Sequence, residues 1–102
     1  MIYVIVSVRI KPGKRQEFID LFNSFAVTIR KEKGCIQFVP AVDLETGMPP
    51  QSLDKNMVTI LERWENLEAL KAHLAMPYMA DFFAKQQPLV EETVSMKILK
   101  ET

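Results

Sequence analysis

The chain has few of the residues on which many functional sites depend. Its 102 residues include one cysteine, one histidine and three scattered glycines. A single cysteine excludes an internal disulfide, a four-cysteine zinc site and a self-contained iron–sulfur cluster, and one histidine leaves too few ligands for a histidine–cysteine zinc site. Scattered glycines form no phosphate-binding loop, which argues against a nucleotide cofactor. We therefore expect no metal and no cofactor.

The chain also lacks an excess of either charge and any long apolar run. Thirteen basic residues balance thirteen acidic ones, whereas nucleic-acid binding needs a concentrated positive face. The apolar segment 1–8 is too short to span a bilayer and has no basic region before it or cleavage site after it. We expect a cytoplasmic protein with no nucleic-acid or membrane partner, in which a reducing compartment keeps Cys35 as a free thiol.

The length of the chain predicts one domain over residues 1–102, and its apolar periodicity predicts the helices and strands of that domain. Period-two alternation predicts strands, and apolar residues on one face of a 3.6-residue repeat predict helices. The predicted strands are 2–10, 35–43, 57–64 and 90–99; the predicted helices run from 13 or 14 towards Gly34, from Asn66 to about 75, and from Pro77 to before Pro88. This β-α-β-β-α-(α)-β order predicts a ferredoxin-like α+β fold, an antiparallel sheet with its helices on one face.

The first strand separates its side chains by parity. Even positions 2–10 are all apolar and are expected to meet the helices. The odd positions (Tyr3, Ile5, Ser7 and Arg9) are mixed, which suits a cavity lining or a second interface. The open face of the sheet would expose Tyr3, Ile5 and other apolar side chains to water, and such an apolar patch is rarely left uncovered in a soluble monomer. We therefore expect a homodimer through the open sheet face.

Residues 45–56 lack periodicity and contain Gly47, Pro49 and Pro50. Twelve residues exceed a usual hairpin connection, and long loops are often lids or binding loops. The alternative is a surface excursion without a role. The sequence leaves both open, including a loop that covers a pocket.

His73 is the first candidate for chemistry, because its imidazole is the side chain suited to proton transfer near neutrality. It falls on a helical stripe with Leu67, Leu70 and Leu74, which turns it towards the sheet or a pocket. It is either a general base at a cavity wall or a buried histidine bonded to a backbone carbonyl. Trp64 is similarly either a pocket wall or a core anchor.

Two further residues are given structural interpretations. Glu62 shares the inward face of its strand with Trp64, and a carboxylate there needs a partner, for which Arg9 and Lys97 are candidates. Cys35 lacks a nearby histidine or helix N-terminus that would activate it, so it is interpreted as a small buried apolar side chain.

Three segments together resemble the antibiotic biosynthesis monooxygenase family, which includes small quinol monooxygenases. They are Arg9-Ile10-Lys11-Pro12-Gly13-Lys14, Glu32-Lys33-Gly34-Cys35, and Glu62-Arg63-Trp64-Glu65-Asn66 through Ala72-His73-Leu74 to Pro77-Tyr78. The resemblance covers nearly the whole chain apart from 45–56. It implies a dimeric α+β barrel with a pocket between each sheet and its helices.

The resemblance also implies cofactor-independent oxygenation of a small aromatic or quinol by O₂, in which a base makes an electron-rich substrate anion. His73 matches the recurrent histidine of the family and Trp64 the recurrent tryptophan. Many relatives have a second histidine where this chain has Tyr78. On this interpretation His73 is the base and the substrate-binding residues are Trp64, Tyr78, Phe38, Phe82, Phe83 and Ser7. Two alternatives stay open: a non-catalytic barrel that binds a hydrophobic molecule, and an isomerase acting on a small oxygenated metabolite.

Overall fold

The computed structural model describes all 102 residues and contains seven regular elements. They are β1 (Ile2–Ile10), α1 (Arg15–Ile29), β2 (Cys35–Ala41), β3 (Met57–Trp64), α2 (Leu67–Leu74), α3 (Pro77–Gln86) and β4 (Val90–Lys100). The strands form one antiparallel sheet in the order β2-β3-β1-β4. This order is that of the ferredoxin-like fold, so the predicted fold class and element order are confirmed.

Strand β1 lies inside the sheet and buries one face. Val4 and Ile10 are fully buried and Val8 nearly so, because the even positions meet the helices as the alternation predicts. Two breaks in register against β4, after Ser7 and after Arg9, mark irregularities in that ladder. Side chains from all three helices complete the core on this face of the sheet, with Leu70 contributed by α2.

Helix α1 supplies the aromatic half of the core. Its buried residues are Phe18, Phe22, Ala26 and Ile29, spaced at i, i+4, i+8 and i+11. The phenyl rings of Phe22 and Phe38 stack with centroids 5.0 Å apart and planes 5° apart. This contact ties α1 to β2. The helix ends at Ile29, earlier than Gly34, and residues 30–34 form the turn into β2.

Helices α2 and α3 begin at the residues that the sequence indicates. The side chain of Asn66 accepts a hydrogen bond from the Ala69 backbone N–H at 2.9 Å, which caps α2. Pro77 is the first residue of α3, where its missing N–H costs nothing. The predicted apolar stripe of α2 is narrower than expected: only Leu70 and His73 are buried. Leu67 and Leu74 are exposed, because α2 meets the sheet mainly along β3.

The two edges of the sheet differ. Strand β2 is one edge, where a proline is tolerated because one side of the strand has no partner; its register shift lies between Cys35 and Gln37 and not at Pro40. Strand β4 is the other edge and is exposed on both faces. Met96 pairs with the helix-facing Val6, yet remains half exposed because no helix extends over it.

The segment between β2 and β3 has no helix or strand and lies on the surface. It is closed by its own hydrogen bonds, among them Asp54 N–H donating to Asp43 Oδ2 at 2.7 Å. None of the three helices combines the length and hydropathy that a bilayer crossing requires.

Candidate active site

A cavity of about 300 Å³ lies between the helix-facing side of the sheet and helices α1 to α3. Ten of its fourteen lining residues are apolar, so its interior is suited to an aromatic or aliphatic molecule. Leu74, Phe83 and Met96 line it and are each about half exposed. They place the opening between the two later helices and the uncovered edge strand β4.

His73 lies in the wall of this cavity and is only 2% exposed. Its imidazole stacks on the Trp64 indole, with centroids 4.7 Å apart and planes 29° apart, and Phe38 contacts it edge-on at 5.4 Å. Its Nδ1 lies 3.2 Å from both carboxylate oxygens of Glu32. Nε2 has no hydrogen-bond partner in the chain. The only fully buried side-chain N or O atom without a partner is Arg63 Nε. The unpartnered Nε2 of His73 therefore keeps some accessible surface. Nε2 is therefore the atom that His73 offers to the cavity.

Glu32 is the residue beside His73 that sequence reasoning missed. Its side chain is 5% exposed although it stands between two lysines in the turn after α1. Besides His73, it contacts the Tyr78 hydroxyl, which donates a hydrogen bond to Oε2. Burial and the neighbouring Glu32 carboxylate raise the pKa of Tyr78, so its hydroxyl keeps its proton and donates. The one available signal was that Glu32 opens one of the segments that carry the family resemblance.

Gly34 brings Glu32 to His73. It has φ +84°, and a Cβ added there would lie 2.6 Å from Ala69 Cβ. Ala69 and His73 are four residues apart on α2 and therefore share a face of that helix. The Gly34 backbone packs closely on Ala69, so the turn of residues 30–34 lies against that face of α2. The Gly34 C=O also accepts a hydrogen bond from the Glu65 N–H at 2.9 Å. Glu32 is thereby held one helical turn further along, beside His73.

Glu62 is a second buried acid and, unlike Glu32, it lines the cavity. It is 8% exposed, and its Oε1 accepts a hydrogen bond from Trp64 Nε1 at 2.9 Å. Burial raises the pKa of the Glu62 carboxyl, an effect that the Trp64 hydrogen bond partly offsets. The predicted ion pair with Arg9 or Lys97 is wrong. Arg9 pairs with Asp54 and Glu92 instead, because it points to the opposite face of the sheet.

The predicted substrate-contact residues fall into two groups. Phe38, Phe82 and Phe83 line the cavity. Trp64 and Tyr78 do not: the indole lies fully buried behind His73, and the tyrosine hydroxyl is bonded to Glu32.

Ser7 also lies away from the cavity. It belongs to the odd face of β1 and pairs with Thr59 and Ser95, whereas its neighbours Val6 and Val8 line the cavity. The reason is the period-two alternation itself, which turns Ser7 to the open face of the sheet. The loop 45–56 contributes no residue to the cavity wall, so it does not cover the cavity.

Cys35 lies near Glu32 and is only half-buried, less than its interpretation as a small buried apolar side chain implies, but its thiol is not activated. Burial, with a smaller effect of the Glu32 carboxylate, raises its pKa to about 11. The thiol is therefore protonated at neutral pH and is a poor nucleophile.

The polar groups of the cavity occupy two ends. Glu62 pairs with Val4 of β1, whereas Thr93 pairs with Val8, so the two lie four residues apart along the sheet, about 13 Å at the usual rise of a strand. Gln86, at the end of α3, is the other uncharged polar lining residue. A carboxyl group and an imidazole thus face a mainly apolar interior, with Thr93 and Gln86 as the other polar side chains. No three side chains of the metal-binding types converge anywhere in the chain.

Comparisons with known proteins show the family of the chain. The model of the antibiotic biosynthesis monooxygenase family matches residues 1–85. The chain is 37% identical over 81 residues to "Probable quinol monooxygenase YgiN" of Escherichia coli K12, covering 78% of each protein. It is 33% identical over 99 residues to the uncharacterized protein sll1783 of Synechocystis, covering 97% of this chain and 62% of that one.

Solved structures agree with the sequence relatives. A conserved protein of Methanosarcina mazei Go1 superposes with a TM-score of 0.84 at 26% identity, over 99% of this chain and 92% of that one. A candidate antibiotic biosynthesis monooxygenase of Chloroflexus aurantiacus superposes with a TM-score of 0.77, also at 26% identity, over 100% of this chain and 94% of that one. The chain belongs to the antibiotic biosynthesis monooxygenase family.

Proposed function

We propose that this protein is a monooxygenase that oxidises a small aromatic or quinol substrate with O₂, without metal or flavin, and that His73 is its general base. One observation carries the proposal: the sole histidine presents an unpartnered Nε2 to an apolar cavity of about 300 Å³. The family assignment and the quinol monooxygenase among its relatives support the same reaction class.

The proposed reaction begins with proton transfer. Nε2 of His73 removes a proton from a substrate hydroxyl, or from a carbon acid beside a carbonyl, and leaves an electron-rich anion. The apolar wall excludes water, so the anion is not stabilised by hydration and is readily oxidised. The aromatic side chains Phe22, Phe38 and Phe82 hold the ring of the substrate beside the base.

The substrate supplies the electrons in this proposal. The anion transfers one electron to O₂, and the resulting radical pair combines to form a carbon–oxygen bond and a peroxide. Cleavage of the O–O bond leaves one oxygen atom on the substrate, and the other departs as water with two protons from the substrate. A quinol plus O₂ thus becomes a hydroxyquinone plus water, with no external reductant.

A second candidate is proton-transfer chemistry without O₂, such as isomerisation of a small oxygenated metabolite. It is favoured by Glu62, which lines the cavity with His73 and whose carboxyl has a pKa raised by burial. A neutral carboxylic acid can donate a proton while an imidazole accepts one. The same two groups would then shuttle a proton between two positions of one substrate.

We also propose that the protein acts as a homodimer through the open sheet face. Half-buried Ile5, Val39 and Leu61 lie side by side across the three neighbouring strands of that face. The edge strand β4 adds the exposed Leu99, which pairs with Tyr3 on the same face. Apolar surface of this kind favours sheet-against-sheet association. Sedimentation equilibrium of the wild type and of Leu61→Lys tests it: a dimer should become a monomer, and a monomeric wild type would refute the proposal.

Oxygen uptake tests the proposed reaction. Purified protein is given a panel of reduced naphthoquinols and anthrones in an oxygen electrode, beside a control without protein because quinols autoxidise. Uptake is expected well above that control, with the oxygenated product identified by mass spectrometry. His73→Ala should reduce the enzymatic rate at least about 100-fold, as loss of a general base does. Lys71→Ala, on the exposed side of α2, is the matched control and should retain the rate.

Other outcomes separate the alternatives. If uptake matches the control for every substrate, the monooxygenase proposal is wrong for this panel. Ligand binding that survives His73→Leu would then favour the binding barrel. Exchange of a substrate C–H proton with deuterium, dependent on His73 and not on O₂, would favour the isomerase.

A further inference from the structure

Glu32 is joined to the imidazole on the side away from the cavity. Both of its carboxylate oxygens lie 3.2 Å from His73 Nδ1, and Oε2 also accepts from the Tyr78 hydroxyl. The side chain is 5% exposed and has no lysine or arginine partner in the chain. A buried carboxylate with two hydrogen-bonding partners and no lysine or arginine partner has been assembled from the turn before β2, from α2 and from α3.

The arrangement fixes where the imidazole proton lies. An ionised carboxylate only accepts hydrogen bonds, so the group facing it must donate. The hydroxyl of Tyr78 donates one proton, and Nδ1 of His73 must carry the other. In the neutral imidazole this leaves Nε2 without a proton, as a base requires. Free histidine in water prefers the opposite tautomer, with the proton on Nε2.

We propose that Glu32 is a positioning residue: with Tyr78 as its clamp, it holds His73 in the Nδ1–H tautomer and stabilises the imidazolium that forms when Nε2 accepts a proton. The kinetic part rests on the proposed function, because it concerns the base of that reaction. The tautomer does not, because it exists without substrate. Aromatic surroundings strengthen the effect, because the Trp64 indole stacks on the imidazole and Phe38 contacts it edge-on, and both keep water away from the ring.

The tautomer can be read directly, because the chain has one histidine. In protein labelled with ¹⁵N at histidine, the chemical shifts of the neutral ring distinguish a protonated nitrogen from an unprotonated one. We expect the wild type to show Nδ1 protonated and Nε2 unprotonated. In Glu32→Ala the proton should move mainly to Nε2. A wild type with the proton on Nε2 overturns the proposal, and so does a folded Glu32→Ala in which Nδ1 keeps it.

Matched variants separate positioning from stability. Tyr78→Phe removes the second donor but leaves the Glu32–His73 contact, so the Nδ1–H tautomer should persist. Glu68→Gln removes an exposed carboxylate from α2 and should change nothing. If Glu32→Ala does not fold, the tautomer of the wild type still decides the first half of the proposal.

Kinetics test the second half with any substrate that the wild type oxidises. Glu32→Ala should lower kcat at least about 100-fold, as in other carboxylate–histidine pairs, with KM within about threefold of the wild type. Tyr78→Phe should lower kcat by less than about tenfold. A Glu32→Ala enzyme with unchanged kcat, or one changed only in KM, would refute the positioning role. If the tautomer is as expected but no substrate is oxidised, the proposed function fails and the arrangement of the imidazole stands.

Discussion

The Cβ that Gly34 lacks would lie 2.6 Å from the Cβ of Ala69, closer than two non-bonded carbon atoms approach. This contact packs the turn before β2 on helix α2. It brings Glu32 to His73, 41 residues later in the chain. The Glu32 carboxylate and the His73 imidazole are thus brought together because residue 34 has no Cβ.

Gly34→Ala should therefore cost more than its backbone conformation alone. Gly13 is the matched control, because it has a similar φ of +78° but nothing within 4 Å of an added Cβ. We expect about 1 kcal/mol of destabilisation for Gly13→Ala from the left-handed backbone. Gly34→Ala should add about 1–3 kcal/mol from overpacking against Ala69. Urea unfolding of both variants measures this, and equal losses would show that the close approach is unimportant.

Ionisation of the buried Glu62 carboxyl should lower the free energy of unfolding as pH rises. Burial raises the pKa of its carboxyl in the folded state above that in the unfolded chain, so the folded state binds the proton more tightly. The stabilisation from that protonated carboxyl is complete below the unfolded pKa and is lost as pH rises through the folded pKa. Glu62→Gln keeps an acceptor for Trp64 Nε1 but cannot ionise.

The measurement for Glu62 is the free energy of unfolding of wild type and Glu62→Gln between pH 4 and pH 8. The stability of the variant relative to the wild type should increase with pH, by more than the roughly 0.5 kcal/mol typical of surface substitutions. Glu91→Gln, on the exposed strand β4, should show no such trend. A difference independent of pH, or one that decreases, would contradict the buried-acid interpretation.

Phe83 should affect ligand affinity more than stability. It lines the cavity yet is 48% exposed, so its ring is at the opening and not in the core. Phe83→Ala should weaken binding of an aromatic ligand about fivefold, equivalent to about 1 kcal/mol of apolar contact. Its unfolding free energy should change by less than about 1 kcal/mol. Titration with a naphthoquinone and thermal melts test both, with the exposed Val27→Ala of α1 as control.

Cys35 should react slowly with iodoacetamide. With its pKa raised to about 11 by burial, only about 0.1% of the thiol is ionised at pH 8. The alkylation rate should be more than about 100-fold below that of free cysteine at that pH and should rise about tenfold per pH unit towards pH 11. Mass spectrometry over a time course gives the rates. Fast modification of folded protein at pH 8 would show that the thiolate is stabilised instead.

Most of the fold could be predicted from local patterns in the sequence. Alternation in β1, the cap at Asn66 and the break at Pro77 each act over a few residues, so each could be interpreted without knowing what lies opposite. Side-chain exposure was harder, as Leu67 shows: it lies on the apolar stripe of α2 but is exposed, because exposure depends on how much of the helix another element covers.

The candidate site was likewise predictable only in part from the sequence. The sequence by itself determined that one imidazole would face inward and that Phe38 and Phe82 were available as apolar walls. Only the tertiary structure decided what that imidazole contacts. It paired His73 with Glu32, placed Trp64 behind the ring, and turned Ser7 to the other face of the sheet. Periodicity is a property of neighbours in the chain, whereas the candidate site is made of contacts between distant residues, which depend on tertiary packing.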